Sequence, residues 1–173
     1  DFGSAVPDMK VSTPQIKKTL SEEKYCNIYT GYLGGTPKGE STTLGKSGSS
    51  LTASLIASVG KANMFEIYAD KSGLASADAQ YIKNAQPLHT LSYGEAMEIS
   101  HYGNTVIYPQ SLYPAFKVQI PVVLKNIDDL QFKGTLITKK TDAQYAVKAF
   151  SSIPNITLVS IQGSGMLGVS GVA

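Results

Sequence analysis

The stretch STTLGKSGSSLTASLIASVG, residues 41–60, combines a glycine-rich turn, one lysine and several hydroxyl side chains. Such a turn at the start of a helix can present backbone N–H groups to an anion while the lysine neutralises its charge. The phosphate-binding P-loop pattern requires four residues between its two glycines, whereas five separate Gly39 from Gly45 here. The preceding residues are polar rather than strand-like, so a P-loop is not indicated. An anion-binding turn and an ordinary serine-capped helix start both remain open.

Two carboxylates form a second set of residues that could do chemistry. Asp70 ends the apolar run MFEIYAD, residues 64–70, and Asp78 follows eight residues later. Ligands of parallel sheets bind beyond the carboxyl ends of strands, where these groups could contact a ribose or a metal-bound water. Solvated loop carboxylates are the alternative. His89 and His101 have no cysteine or acidic partner at ligand spacing, so no protein-held metal is predicted.

The charge and composition limit the classes of partner. The net charge of +2 is too small to indicate nucleic acid or an anionic membrane. All 15 basic residues are lysines, so any anion site must use lysine, hydroxyls or backbone N–H groups rather than the arginine fork. The single cysteine, Cys26, lies in a strand-like run and is predicted to be a buried structural thiol. One cysteine cannot form a disulfide within the chain, which is typical of a cytoplasmic protein.

Periodicity and capping signals predict alternating strands and helices. Ser92, with Glu95 three residues later, predicts a capping box. The alternation predicts an α/β fold with a mainly parallel sheet flanked by helices, which places the loops after Leu33, Ala69 and Leu124 near any site. Helices are predicted over 12–24, 49–59 and 92–103, and strands over 25–33, 64–70, 120–126 and 134–138, with a further strand from residue 145.

Several segments, in the same order over most of the chain, resemble those of aspartokinases of the amino-acid-kinase fold. Residues 30–54 resemble the segment ending in Gly-Arg-Gly-Gly-Ser-Asp. EIYADKSGLASADAQ, residues 66–80, resembles the nucleotide segment Glu-Ile-Trp-Thr-Asp-Val-Asp-Gly. Residues 91–115 resemble the helix followed by Gly-Ala-Lys-Val-Leu-His-Pro. ITLVSIQGSGMLGVSGVA, residues 156–173, resembles the opening of an ACT domain.

The resemblance implies an amino-acid-kinase-like αβα sandwich followed by the beginning of an ACT-type α+β domain. Residues 1–138 would be a partial kinase domain on the nucleotide side, 139–144 a linker, and 145–173 an incomplete ACT-like regulatory domain.

The resemblance also implies roles for individual residues. Lys46 stands where the family has an arginine that binds a substrate carboxylate, and Ser50 stands where it has an aspartate. Ala69, Ala75, Gln80, Thr105 and Tyr108 also differ from the family pattern. The implied set is Lys46 and Ser49 as catalytic residues, Gly45 and Gly48 for substrate, Asp70, Gly73 and Asp78 for nucleotide, and Ser164, Gly165 and Met166 for an effector.

By resemblance, the function is ATP-dependent phosphorylation of L-aspartate to 4-phospho-L-aspartate in lysine, threonine and methionine biosynthesis, with Mg²⁺. The expected partners are ATP, L-aspartate, lysine or threonine as effector, and further copies of the chain through ACT strands; no nucleic acid or membrane is expected. The sequence contains no counterpart of the family's Lys-Phe-Gly-Gly-Thr motif, so this chain by itself is expected to be inactive. The alternative is a non-catalytic homologue or altered variant that acts as a regulatory or interaction module.

Overall fold

Helices and strands alternate through most of the chain. The computed structural model describes residues 2–22, 26–102, 106–140 and 145–157. In chain order the elements are α1 (Met9–Glu22), β1 (Leu33–Gly35), β2 (Ser41–Thr43), α2 (Gly48–Gly60), β3 (Phe65–Ala69), β4 (Thr90–Ser92), α3 (Tyr93–His101), α4 (Pro109–Val118), β5 (Val122–Asn126) and β6 (Thr135–Thr138).

The main sheet has the strand order β3-β5-β6-β4. β3 pairs with β5 and β4 pairs with β6 in parallel, while β5 and β6 are antiparallel. The turn into β6 needs Gly134, since its φ is +78° and a Cβ there would overlap the carbonyl of Leu124. The predicted α/β class is confirmed, with one antiparallel pair at the centre of the sheet. β1 and β2 form a separate antiparallel hairpin.

The core lies between the main sheet and helices α2, α3 and α4. Ser54 of α2 accepts a hydrogen bond from the N–H of Ala115 in α4, and the buried hydroxyl of Tyr93 donates to the carbonyl of Ile120. α1 contributes no buried residue. The buried apolar cluster consists of Phe65, Leu74, Leu91, Tyr93, Ala96, Ile107, Leu112, Ala115, Ile120, Val122, Leu124 and Ile137.

Five of the predicted elements are confirmed, within one or two residues at most ends. They are the helices at α2 and α3 and the strands at β3, β5 and β6. At α3 the hydroxyl of Ser92 accepts from the N–H of Glu95 and the Glu95 carboxylate accepts from the N–H of Ser92, as the capping box predicts. The hairpin, β4 and α4 were not predicted; α4 contains Pro114 in its interior, which argues against a helix in sequence terms.

The first predicted helix begins earlier than the sequence indicated. α1 starts at Met9 because Asp8 caps it: its carboxylate accepts from the N–H of Lys10, and its carbonyl accepts from the N–H of Ser12. Pro14 therefore lies inside the helix.

The strand predicted over residues 25–33 is wrong across 26–32, which have no strand pairing. β-branched and aromatic residues form a strand only where a neighbouring strand accepts their backbone hydrogen bonds, and this run lies at the surface instead. Cys26 is accordingly exposed, not buried. Because Leu33 begins the separate hairpin, the loop expected after it does not lie at the edge of the main sheet.

The described residues after β6 contain no helix or strand. The strand predicted from residue 145 is therefore absent from 145–157. Thr105, residues 141–144 and the predicted effector residues Ser164, Gly165 and Met166 lie outside the described residues. No helix in the described part of the chain is long and apolar enough to cross a membrane.

Candidate functional site

The loop after β3 is held in place by one buried hydroxyl group, that of Thr135 in β6. The Thr135 oxygen accepts a hydrogen bond from the N–H of Leu74 (2.9 Å) and donates one to the carbonyl of Leu88 (2.6 Å). The N–H of Leu88 in turn donates to the carbonyl of Leu74 (2.8 Å). These bonds bring the two ends of the segment from 74 to 88 together against the sheet, so the residues between them project as a fixed loop.

Gly73, one of the predicted site residues, occupies a position where the backbone requires glycine. Its φ is +74°, and a Cβ at this position would overlap the hydroxyl oxygen of Thr135. A side chain would therefore be excluded by conformation and by space together. The amide of Asn126 at the end of β5 also donates to the hydroxyl of Ser72 (3.0 Å). The loop at the carboxyl ends of β3 and β5 is thus attached to the sheet at two places, by Thr135 and by Asn126.

A cavity of about 650 Å³ lies beside this loop, a volume typical of small-ligand sites. Gly73 and Asp78 line it, whereas Asp70 does not. The carboxylate of Asp78 accepts from the N–H of Gln80 (2.9 Å), which orients it in a short turn. Four larger apolar residues on other segments also line it: Ile99, Val106, Phe132 and Phe150.

The glycine-rich turn before α2 has an unusual backbone. Gly45 and Ser47 both have positive φ, +71° and +59°. Ser47 precedes the helix but its side chain makes no capping bond, so the serine-capped start is wrong in detail. Gly48 is buried, and a Cβ there would meet the side chains of Leu44 and Tyr32. The turn is shaped by close packing, which leaves Ser49 exposed at the first turn of the helix.

Lys46 contacts the ring of Tyr108, which lies close in sequence to the cavity wall. Its ammonium nitrogen lies 4.8 Å from the centre of the Tyr108 ring, within cation–π range. Tyr108 precedes α4 and is two residues from Val106 in the cavity wall. The structure therefore places the turn before α2 next to residues 106–108, but neither Lys46 nor Ser49 lines the cavity itself.

An ion pair on β3 and β5 stabilises the strands that carry the loop. Lys125 lies 2.5 Å from the carboxylate of Glu66, which also accepts from the hydroxyl of Tyr68 (2.9 Å). The hydrogen bonds from Lys125 and then from Tyr68 hold the pKa of Glu66 below its usual range. The hydrogen bond to Glu66 raises the pKa of Lys125. Both groups therefore stay charged at neutral pH.

Sequence reasoning missed Thr135 and the large apolar residues of the cavity wall. Thr135 is the first residue of β6, Phe132 lies shortly before that strand, and Phe150 comes from beyond the predicted linker. No local pattern distinguishes them, because their role depends on segments distant in sequence. Among the described residues, no group of three or more His, Cys, Asp or Glu could hold a metal ion.

Residues 1–126 match the amino acid kinase family. The chain is 37% identical over 173 residues to a bifunctional aspartokinase/homoserine dehydrogenase 1 of Zea mays, covering 96% of this chain and 19% of that protein. It is 31% identical to the lysine-sensitive aspartokinase 3 of Escherichia coli, covering 96% of this chain and 37% of that protein. The chain thus spans less than half the length of these relatives.

Solved structures show the same similarity. The crystal structure of E. coli aspartokinase III in complex with aspartate and ADP has a TM-score of 0.73 and 32% identity, covering 82% of this chain and 32% of that one. The Clostridium acetobutylicum aspartate kinase has a TM-score of 0.70 and 28% identity, covering 84% of this chain and 33% of that one. The resemblance to aspartokinases seen in the sequence is confirmed.

Proposed function

The chain belongs to the amino acid kinase family, and on this premise we propose that it serves an aspartate kinase reaction. In that reaction the γ-phosphoryl group of ATP is transferred to the β-carboxylate of L-aspartate, giving 4-phospho-L-aspartate. The observation that supports this best is the cavity formed by the loop after β3, because the segment that resembles the family's nucleotide segment lines it. The relative solved with aspartate and ADP is consistent with these ligands.

The proposed nucleotide side consists of the loop that Thr135 holds. Gly73 lets the backbone pass close to β6, and Asp78 faces the cavity with its carboxylate oriented by the Gln80 N–H. Asp70 follows β3 and does not line the cavity; it is proposed to contact the nucleotide from the edge of the cavity. ATP fits this arrangement by volume and by its mixed polar and apolar wall.

The proposed phosphoryl side is the turn before α2. Phosphoryl transfer depends mainly on positioning and on neutralising the charge that spreads over the transferred group. Lys46 would supply the positive charge, and Ser49 would hydrogen-bond a phosphoryl or carboxylate oxygen. By the resemblance, Gly45 and Gly48 would let the backbone approach the substrate. The positive φ of Gly45 fits such a turn, whereas Gly48 packs against Leu44 and Tyr32.

Mg²⁺ would enter with the nucleotide. Magnesium sites of kinases commonly use one or two carboxylates together with phosphate oxygens and water. In the described residues Asp78 is the carboxylate that faces the cavity, so it is the side chain proposed to reach the ion. The ion would neutralise phosphate charge, while this chain's own residues orient the nucleotide.

A non-catalytic homologue is the second candidate function. The contact between Lys46 and the Tyr108 ring favours it, because a lysine held over a ring is less available to an incoming carboxylate. By the resemblance, Lys46 and Ser50 also replace an arginine and an aspartate. Such a chain would keep the fold and act by binding a partner or an effector.

The remaining predictions from the resemblance are proposals as well. They comprise the boundaries 1–138, 139–144 and 145–173, an ACT-type effector turn at Ser164, Gly165 and Met166, lysine or threonine as effector, a role in lysine, threonine and methionine biosynthesis, and self-association. A cytoplasmic location also stays a prediction, since the names of several plant relatives place them in the chloroplast.

Calorimetric titration with Mg-ATP, with and without L-aspartate, tests the proposal. We expect saturable binding that Asp78→Asn weakens, while Asp128→Asn, an exposed loop carboxylate outside the cavity, leaves it unchanged. Phosphorylation of aspartate should then appear when the chain is joined to the Lys-Phe-Gly-Gly-Thr segment of a relative. Absence of Mg-ATP binding in a chain that circular dichroism shows to be folded would reject the kinase function. Binding without aspartate phosphorylation would favour the second candidate.

A further inference from the structure

Residues 147–152 lie against the cavity although they follow the last strand of the sheet. The ammonium group of Lys148 contacts both carboxylate oxygens of Glu95 in α3, at 3.0 and 3.2 Å. The Lys148 side chain is only 13% exposed. A lysine that is buried to this extent against a carboxylate indicates a defined contact rather than a passing one.

Phe150 and Ser151 are also hydrogen-bonded to the kinase-like body. The N–H of Phe150 donates to the carbonyl of Ser76 in the loop after β3 (2.8 Å). The hydroxyl of Ser151 donates to the carbonyl of Ile99 in α3 (3.3 Å). Together with Lys148, these contacts join the segment to the loop and the helix that form two walls of the cavity.

The Phe150 ring is 75% exposed in spite of this attachment, and it lines the cavity. An aromatic ring of this size gains considerable free energy when it is covered. Its backbone N–H is bonded to the loop that lines the same cavity, which keeps the ring beside the cavity. A ligand in the cavity is therefore the group best placed to cover it.

We propose that Phe150 contacts the base of the bound nucleotide, and that the ion pair between Lys148 and Glu95 positions it; this rests on the proposed nucleotide-binding function. Phe150 would be a binding residue, contributed by the segment beyond the predicted linker. Lys148 would be a positioning residue that acts through the backbone of residues 148–151. Nucleotide affinity would then depend on whether this segment is docked.

The large apolar residues of the cavity wall suit a nucleobase rather than a phosphate. They are Ile99, Val106, Phe132 and Phe150, and the same cavity is also lined by Lys71 and by polar residues of the loop after β3. Bases stack on aromatic rings through their faces, whereas phosphates bind lysines and backbone N–H groups. The lysine of the phosphoryl side, Lys46, lies against the Tyr108 ring, outside the cavity.

A single tryptophan introduced by Phe150→Trp tests the contact, because the chain has no tryptophan of its own. In this variant we expect the indole emission to change saturably on addition of adenosine and of Mg-ADP, at the concentrations at which calorimetry detects binding. Phe150→Ala should weaken the binding of both by about tenfold. Phe2→Trp and Phe2→Ala are the matched controls, since Phe2 is 57% exposed and does not line the cavity; neither should respond.

The positioning role of Lys148 is tested in the Phe150→Trp chain. Adding Lys148→Met should make the introduced indole more accessible to acrylamide without ligand and weaken Mg-ADP binding by about threefold. Lys148→Arg should restore both, and Lys18→Met on α1 should change neither.

Two outcomes would overturn the inference in different ways. Nucleotide binding with an unchanged indole emission in Phe150→Trp and an unchanged affinity in Phe150→Ala would reject the base contact and leave the proposed function intact. No binding of adenosine or Mg-ADP by any folded chain would reject both proposals together.

Discussion

The hydroxyl group of Thr135 determines the shape of the candidate site at the level of a single residue. It is fully buried and satisfies two backbone groups, the N–H of Leu74 and the carbonyl of Leu88. Buried backbone groups that lose their partner are strongly destabilising, because water cannot replace it. One oxygen atom in a strand thus holds both ends of the segment from 74 to 88.

Replacing Thr135 by valine keeps the volume and β-branching but removes this oxygen. We expect the free energy of unfolding to fall by about 2 kcal/mol, since the backbone groups of Leu74 and Leu88 both lose their partner. Thr138→Val on the same strand is the control, because its hydroxyl donates to the exposed carbonyl of Lys140 rather than to a buried group. Urea unfolding followed by circular dichroism measures both; equal losses would contradict the role of Thr135.

At the level of the element, one residue at the amino end of α3 both caps the helix and contacts a segment distant in sequence. Glu95 completes the capping box with Ser92 and also pairs with Lys148. Partial burial raises the pKa of Glu95, but the hydrogen bond from the Ser92 N–H and the Lys148 ion pair outweigh it. The pKa of Glu95 therefore lies below its usual range, so the ionised form stabilises the folded chain.

The sign of this shift predicts the pH dependence of stability. A carboxyl whose pKa is lower in the folded chain stabilises it above the unfolded value, near 4.5, and this contribution is lost as the pH falls through the folded value. Glu95→Gln keeps a capping side chain but no charge. We expect it to be less stable than wild type at pH 7 and nearly equal to it at the acid end of the range.

Urea unfolding from pH 3 to 7 measures this difference. Glu98→Gln, on an exposed position of the same helix without an ion pair in the described residues, should show a constant difference from wild type. A Glu95→Gln difference that does not change with pH would show that the charge contributes nothing.

At the level of the whole molecule, burial is unevenly distributed. β5 lies within the sheet, and Val122, Val123 and Leu124 are all buried. α1 has no buried residue, and Val11 on it is 51% exposed. Segments with few buried apolar contacts open with a smaller free energy than the core.

Native-state hydrogen exchange should therefore separate these parts of the chain. We expect the amides of α1 to exchange through local opening, with protection factors at least about tenfold below those of β5. The β5 amides should exchange only on global unfolding and follow the stability measured in urea. Equal protection of α1 and β5 would mean that the chain opens as one cooperative unit.

Sequence patterns predicted the elements whose signals are local. The apolar stripe of α2, the capping box of α3 and the apolar runs of β3, β5 and β6 each require only neighbours along the chain. The prediction failed at 26–32 because a β-like composition does not supply a pairing partner. Predicting Cys26 as buried failed for the same reason. Of the candidate site, Gly73 and Asp78 were placed in one cavity wall, whereas Asp70 was not.

The sequence by itself determined the fold class, three of the six described strands, three of the four described helices, and the family resemblance, because these depend on periodicity and on the order of motifs. Only the tertiary structure decided which strands pair, and that β5 and β6 are antiparallel. It also decided that Thr135 holds the loop and that Phe150 lines the cavity. These features arise from contacts between residues far apart in the chain, whose burial and hydrogen bonding no local pattern encodes.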